Sequence, residues 1–260
     1  MDRPAFGDST LLDGETAFVT GASAGLGQRF ATILAQAGAK VAMGARRTDR
    51  LDDLAAGIRA QGRVAGAFTL DVTDAASVRD AVAAAEEAFG PVTLLVNNAG
   101  IAIDKSFLDH DEADFDAVVD TSLKGSWLMT QAVARRLVAL DRPGNIVNIG
   151  SIYGHRTAMN AASYCAAKAG ALHLTRVLAL ELARHRIRVN CLSPGLFKTE
   201  MTENIFASGF ADGMIKRTLM RRVGDPADLD GPLLMLASDA SRFMTGSVVN
   251  VDGGILHSAL

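Results

Sequence analysis

The sequence predicts one α/β domain built on a doubly wound parallel sheet of about seven strands with helices on both faces. Three observations carry this. Short apolar runs alternate with helical patterns along all 260 residues. Each run is nearly continuous in its hydrophobicity, as expected for strands covered on both faces. Finally, the residues able to do chemistry fall just past the ends of successive runs, the rim where open parallel sheets bind ligands. There is no internal repeat, low-complexity tract or linker to divide the chain.

The elements follow in order. Thr16–Thr20 (TAFVT) reads as the first strand, and it breaks into Gly21-Ala-Ser23-Ala-Gly25-Leu26-Gly27 before a helical pattern that Gly38 stops. Strand, glycine-rich turn and helix together bring backbone N–H groups and a helix N-terminus to a phosphate. The spacing, G-x3-G-x-G, differs from the commoner G-x-G-x-x-G. Residues 40–44 (KVAMG) form a second buried strand ending at Ala45-Arg46-Arg47. Dinucleotide folds often place an acid near this point to bond a ribose diol; here two arginines stand there instead. An arginine suits a 2′-phosphate, which it meets with paired charge-assisted bonds, so NADP(H) is expected over NAD(H). For Arg47, a solvated start to the next helix is an equally open reading.

Residues 64–70 are a third strand ending at Asp71, and Thr73-Asp74 cap an alanine-rich helix that closes at Gly90-Pro91. Residues 93–96 are a fourth strand, followed at once by Asn97-Asn98-Ala99-Gly100, small and amide residues that let a ligand approach the backbone. One long helix is expected over residues 111–140, with Ser122 near its middle. Pro143-Gly144 turn the chain into a fifth strand, 145–149, whose end leads to Ser151. A helix from about 161 to 185 follows, then a sixth strand, 187–192, broken by Pro194-Gly195. Residues 196–222 carry many large apolar groups in an irregular stretch and read as a lid over an apolar site. Asp225-Pro226 cap a helix to about 237. A last strand spans 247–251, before Asp252-Gly253-Gly254 and a short tail.

The central stretch is residues 148–168. If it is helical from about 161, Tyr164 and Lys168 share one face, four residues apart. A phenol titrates near pH 10, and a neighbouring ammonium favours its anion, which would make Tyr164 a usable acid or base. Ser151, at a strand end, can face the same site.

Composition excludes several classes. The chain is 49% hydrophobic and 21% charged with net charge −3, an ordinary globular make-up with no basic surplus for nucleic acid. The two cysteines, Cys165 and Cys191, and the five scattered histidines show no metal spacing, and both thiols are expected to be buried. No run is long enough to span a bilayer, and the amino-terminal stretch has no signal-peptide pattern, so a cytoplasmic protein is expected.

Taken together, Thr20 to Gly27, Asp71, Asn97 to Gly100, Ser151, Tyr164-x3-Lys168, Pro194-Gly195 with Thr199, and Asp252 to Gly254 resemble the short-chain dehydrogenases/reductases over nearly the whole chain. The resemblance implies NAD(P)-dependent interconversion of an alcohol and a carbonyl. Tyr164 would exchange the proton, Ser151 would bond the substrate oxygen, and Lys168 would hold the nicotinamide ribose and lower the Tyr164 pKa. Gly21, Ser23, Gly25, Leu26 and Gly27 would cradle the phosphates. Asp71 and the Val72 backbone would meet the adenine, Asn98, Ala99 and Gly100 the ribose side, and Pro194, Gly195, Leu196 and Thr199 the carboxamide side. It further implies a small-molecule substrate and a homotetramer or homodimer paired through the two long helices. One departure stands out: Ser122 occupies the place of an asparagine that holds a water linked to the lysine. Dehydratases, epimerases, halide-releasing relatives and a cofactor-binding sensor with weak catalysis are the alternative functions.

Overall fold

A computed structural model describes residues 10–258. The first nine residues, and with them part of the amino-terminal stretch read for a signal peptide, lie outside it, as do the last two of the tail. Seven parallel strands form one sheet in the order β3-β2-β1-β4-β5-β6-β7. They are β1 (Thr16–Thr20), β2 (Lys40–Ala45), β3 (Ala65–Thr69), β4 (Leu94–Asn97), β5 (Gly144–Ile149), β6 (Ile187–Pro194) and β7 (Val248–Val251). Order reverses between β1 and β4, which opens a crevice at their carboxyl ends, the place where such sheets bind ligands.

The helices are α1 (Gly25–Gln36), α2 (Thr48–Ala60), α3 (Ala75–Phe89), α4 (Glu112–Val119), α5 (Gly125–Ala139), α6 (Ala162–Leu182), α7 (Glu203–Ala207), α8 (Phe210–Arg217) and α9 (Asp230–Ala237). Period-two alternation in each strand feeds two cores. In β1, Ala17 and Val19 pack with Phe30 and Leu34 of α1, Leu51 of α2 and Leu233 of α9. Phe18, between them, packs with Val78 of α3 and Met129, Val133 and Leu137 of α5 on the opposite face. Phe18 is fully buried, a contribution of about 1.5–3 kcal/mol for one such side chain.

Local chemistry sets the boundaries. Asp74 accepts the Ala76 N–H at 2.8 Å and starts α3. Asp225 and Asp228 form a capping box around a 3₁₀ turn, Pro226–Leu229, that runs into α9. Three expectations need correction. First, β6 does not break before Pro194 but includes it. The Leu192 carbonyl accepts from Gly150 on the β5 side and Gly195 donates to Val251 on the β7 side. By alternation the missing Pro194 N–H would face the side where β5 has already ended, so no ladder bond is lost. Second, the 196–222 lid is helical rather than irregular, with a 3₁₀ turn at Glu200–Thr202 leading into α7 and then α8. Thr199 and Thr202 cap each other there, a signal hidden among the apolar residues. Third, Cys191 is buried but Cys165 keeps part of its surface.

The long helix is continuous only through a π-turn, Asp120–Lys124, which joins α4 to α5 and carries Ser122. One residue more per turn lets the helix bulge toward the sheet. Gly125 follows directly, so close to Val72 that a Cβ there would come within 2.7 Å of Val72 Cγ2.

Candidate active site

The glycine turn is built for close approach. Gly21 has φ +66, and a Cβ on it would lie 2.8 Å from the Ala99 Cα. Asn98 secures the turn by donating from Nδ2 to the carbonyls of Thr20 (3.0 Å) and Gly21 (3.2 Å), while Thr20 Oγ1 accepts the N–H groups of Asn98 and Ala99. Helix α1 begins behind Ala24, which supplies no side-chain cap, and its first turn holds no acid. Its leading N–H groups are therefore available to an anion such as a pyrophosphate.

A cavity of about 500 Å³ runs along this edge of the sheet. At one end stand Ser23, Arg46, Arg47 and Asp71, with Val72 beside them. Gly21, Gly25, Leu26, Asn98, Ala99 and Gly100 form its floor, with Thr199 beside Gly25, and Ser151, Tyr164, Lys168, Pro194 and Gly195 close the other end. The N–H and hydroxyl of Thr73 hold the Asp71 carboxyl below its usual range. Arg47 Nη2 donates to Ser23 Oγ at 3.2 Å, while the side chain stays exposed at the N-cap of α2, so it both meets solvent and touches the glycine turn. Arg46 is exposed at the cavity mouth. A dinucleotide phosphate chain fits this floor.

Three expected site residues do not line the cavity. Gly27 lies beneath the turn, where a Cβ would meet the Gly21 carbonyl oxygen at 2.3 Å. Leu196 turns into an apolar cluster with Ile152, Ala211, Met214 and Ile255, because alternation past Pro194 points it to the lid. Ser122 is buried, and its hydroxyl accepts the Ile101 N–H (3.2 Å) and reaches the Ile101 carbonyl (3.3 Å). The hydroxyl thus tethers the 98–101 loop, close to Gly100, which Lys168 Nζ also approaches. Ser122→Ala should therefore leave two partly buried backbone groups unpartnered, at a cost of about 1–3 kcal/mol. For a chain this long the melting temperature should fall by roughly 3–8 °C in a calorimetric scan, and an unchanged melt would refute the tether.

The Tyr164 helix is anchored from below. Asn97 Nδ2 donates to Thr130 Oγ1 and Asn148 Oδ1, each at 2.9 Å, and Asn148 Nδ2 donates to Thr175 Oγ1 at 2.9 Å. This buried chain ties β4 and β5 to α5 and to α6, two turns beyond Lys168. Lys168 Nζ donates to the Ile149 carbonyl at 2.7 Å and sits 5.6 Å from the Tyr164 ring centroid. Ser151 accepts the Tyr153 N–H at 3.1 Å, and its hydroxyl is near enough to Tyr164 to favour the phenolate.

The electrostatics correct one expectation. Burial pushes Tyr164 up to about 12, only partly offset by the Ser151 hydrogen bond, although the residue keeps some surface open to the cavity. Burial likewise pushes Lys168 down to about 8. In this state desolvation outweighs any lowering of the Tyr164 pKa by the ammonium. Tyr153, which the sequence reading passes over, stands edge-on to Tyr164 with centroids 6.3 Å apart, its hydroxyl on Met214 Sδ at 3.7 Å. Its position two residues past Ser151, in the 3₁₀ turn Ile152–Gly154, is the available signal.

Fold and cavity together define an α/β protein of the nucleotide-binding class. A family model described as enoyl-(acyl carrier protein) reductase matches residues 21–256. The gluconate 5-dehydrogenase of Gluconobacter oxydans is 40% identical over 249 residues, covering 95% of this chain and 97% of that protein. A 3-oxoacyl-(acyl-carrier-protein) reductase of Thermotoga maritima is 34% identical over 245 residues, covering 94% and 99%. Among solved structures, a gluconate 5-dehydrogenase from Burkholderia cenocepacia in complex with NADP and tartrate superposes with a TM-score of 0.93 at 34% identity, covering 98% of this chain and all of that one. The chain belongs to the short-chain dehydrogenase/reductase family. Among the described residues no helix is long and apolar enough to cross a membrane.

Proposed function

We propose that the protein interconverts a secondary alcohol and a ketone with NADP(H), and that its substrate is a neutral, fairly apolar carbonyl compound. The observation that carries this is one cavity with Ser151, Tyr164 and Lys168 at one end and Ser23, Arg46 and Arg47 at the other. When bound, the nicotinamide ring supplies or takes the hydride. In the reductive direction Tyr164 donates its proton to the substrate oxygen while Ser151 hydrogen-bonds the same atom. Lys168, held on the Ile149 carbonyl, stabilises the tyrosinate that remains. Relatives bound to NADP support the cofactor class. The arginine end of the cavity supports the preference, worth about 1.5–3 kcal/mol or on the order of 10–150-fold.

The substrate reading rests on the lid: Tyr153 stands edge-on to Tyr164, and Ile152, Leu196, Ile205, Phe206 and Met214 pack around it as one apolar cluster bordering the Tyr164 end of the cavity. Exposed apolar residues on the paired helices, Phe115, Trp127, Val177 and Leu180, support assembly as a homotetramer, with a homodimer as the smaller unit. A cytoplasmic location fits the same reading. The test is a panel of neutral ketones and alcohols beside 5-ketogluconate and gluconate, with both cofactors, followed at the nicotinamide absorbance. Neutral ketones with NADPH should give the highest kcat/KM. A preference for gluconate would overturn the substrate class, and tighter binding of NADH would overturn the cofactor reading.

A further inference from the structure

Three arginines, Arg46, Arg47 and Arg50, gather at the second strand's end, and the lid sends one acid among them. Glu200 pairs with Arg50 at 2.7 Å and with Arg47 at 3.4 Å. Arg50, and Arg47 after it, hold the Glu200 carboxyl below its usual range. The same Arg47 reaches back to Ser23 in the glycine turn, so one guanidinium bridges the turn and the lid. Glu200 and its neighbours Thr199, Met201 and Thr202 line the cavity together with Arg46 and Arg47. Asp71, another acid lining the cavity, is bonded to Thr73 and feels the charge of Arg46.

The geometry points to Glu200 as a cofactor-specificity residue: its carboxylate occupies the anion seat on Arg47 that a 2′-phosphate would take, and must yield that seat when NADP(H) binds. The inference rests on the NADP(H) reading above. A phosphate carries up to two negative charges and three acceptor oxygens, so it outcompetes a single carboxylate for a guanidinium, yet it must first displace it. NADH carries a hydroxyl at that carbon and leaves the pair in place. Glu200 therefore holds the lid to the arginines in the absence of a 2′-phosphate and narrows the affinity gap between the two cofactors. Its pairs are exposed and individually weak, which allows such an exchange.

The test is a fluorescence titration of NADPH and NADH into wild type, Glu200→Gln and Glu203→Gln. Glu203 lies three residues on, in α7, so its loss removes an equal lid charge away from the arginines. Glu200→Gln should bind NADPH roughly threefold to tenfold tighter, the span expected on removing exposed charge pairs, with NADH within about twofold. Glu203→Gln should leave both constants unchanged. The Thr199–Thr202 cap is untouched by the substitution, so the melting temperature should hold. Equal tightening by both variants would reduce the effect to net charge and overturn the proposal, as would weaker binding of NADPH by Glu200→Gln. Wild type that fails to prefer NADPH would instead overturn the NADP(H) reading itself. A preference in wild type with no gain in Glu200→Gln would sink the Glu200 proposal alone.

Discussion

Tyr164→Phe is expected to lower turnover by at least about a hundredfold, the lower end for losing a general acid–base group. The ring stays: it keeps its edge contact with Tyr153 and its place beside Lys168. Only the hydroxyl is removed, and Ser151 retains the Tyr153 N–H. Affinity for NADPH should stay within about twofold, a shift of ~0.4 kcal/mol. The pH profile makes the test sharper. With Tyr164 pushed up to about 12, the phenol is protonated at neutral pH and is ready to donate in the reductive direction. Alcohol oxidation needs the phenolate, so its kcat/KM should climb about tenfold per pH unit from about pH 6 to about pH 8, where Lys168 keeps its charge. A Tyr164→Phe variant that keeps most of its activity, or a wild-type oxidation rate flat in pH, would refute the role.

Much of the fold and site was legible because local chemistry and tertiary demand agree. The runs around Phe18, Leu95 and Ile146 must be strands buried on both faces, and Asp74 and Asp225 cap as their types require. Gly21 and Asn98 fall together because the turn admits no Cβ and needs a donor for its carbonyls. What stayed hidden depends on long-range geometry. A π-turn at Asp120–Lys124 has no composition signature, so the Ser122 hydroxyl could not be assigned to Ile101 from its spacing. Leu196 leaves the cavity because β6 runs on through Pro194, which depends on where β5 ends. Glu200 meets Arg47 and Arg50 across 153 and 150 residues, and in the sequence it was one acid in an apolar stretch. The ionisation of Tyr164 and Lys168 follows from how deeply α6 is packed, which spacing of four cannot report.

Lys168→Met should separate stability from activity. The ammonium is buried, its pKa lowered from 10.5 to about 8, and its donor bond goes to the Ile149 carbonyl. The folded protein thus releases this proton before the unfolded chain does, so between about pH 8 and 10.5 the unfolded state binds more protons. Stability from this group rises with pH across that window and is reduced below it, by an order of magnitude of ~3 kcal/mol at neutral pH. Tyr164 works in the opposite sense, since its folded value near 12 exceeds the ordinary value of 10.0 and its contribution falls above pH 10. Methionine is close in shape and carries no charge, but it leaves the Ile149 carbonyl without its donor, which costs about 1–3 kcal/mol. The net expectation at pH 7 is a gain of up to about 2 kcal/mol, with turnover lower by about a hundredfold or more because the tyrosinate loses its cation. Urea melts of both proteins at pH 7, 8, 9 and 10 decide it. Wild type should gain stability relative to the variant from pH 8 to 10, because Cys191 and Tyr164, both pushed up to about 12 by burial, lower the two proteins alike toward pH 10. Parallel pH curves for the two proteins would mean that Lys168 is not the group responsible, and a variant with near-normal turnover would remove the lysine from the chemistry.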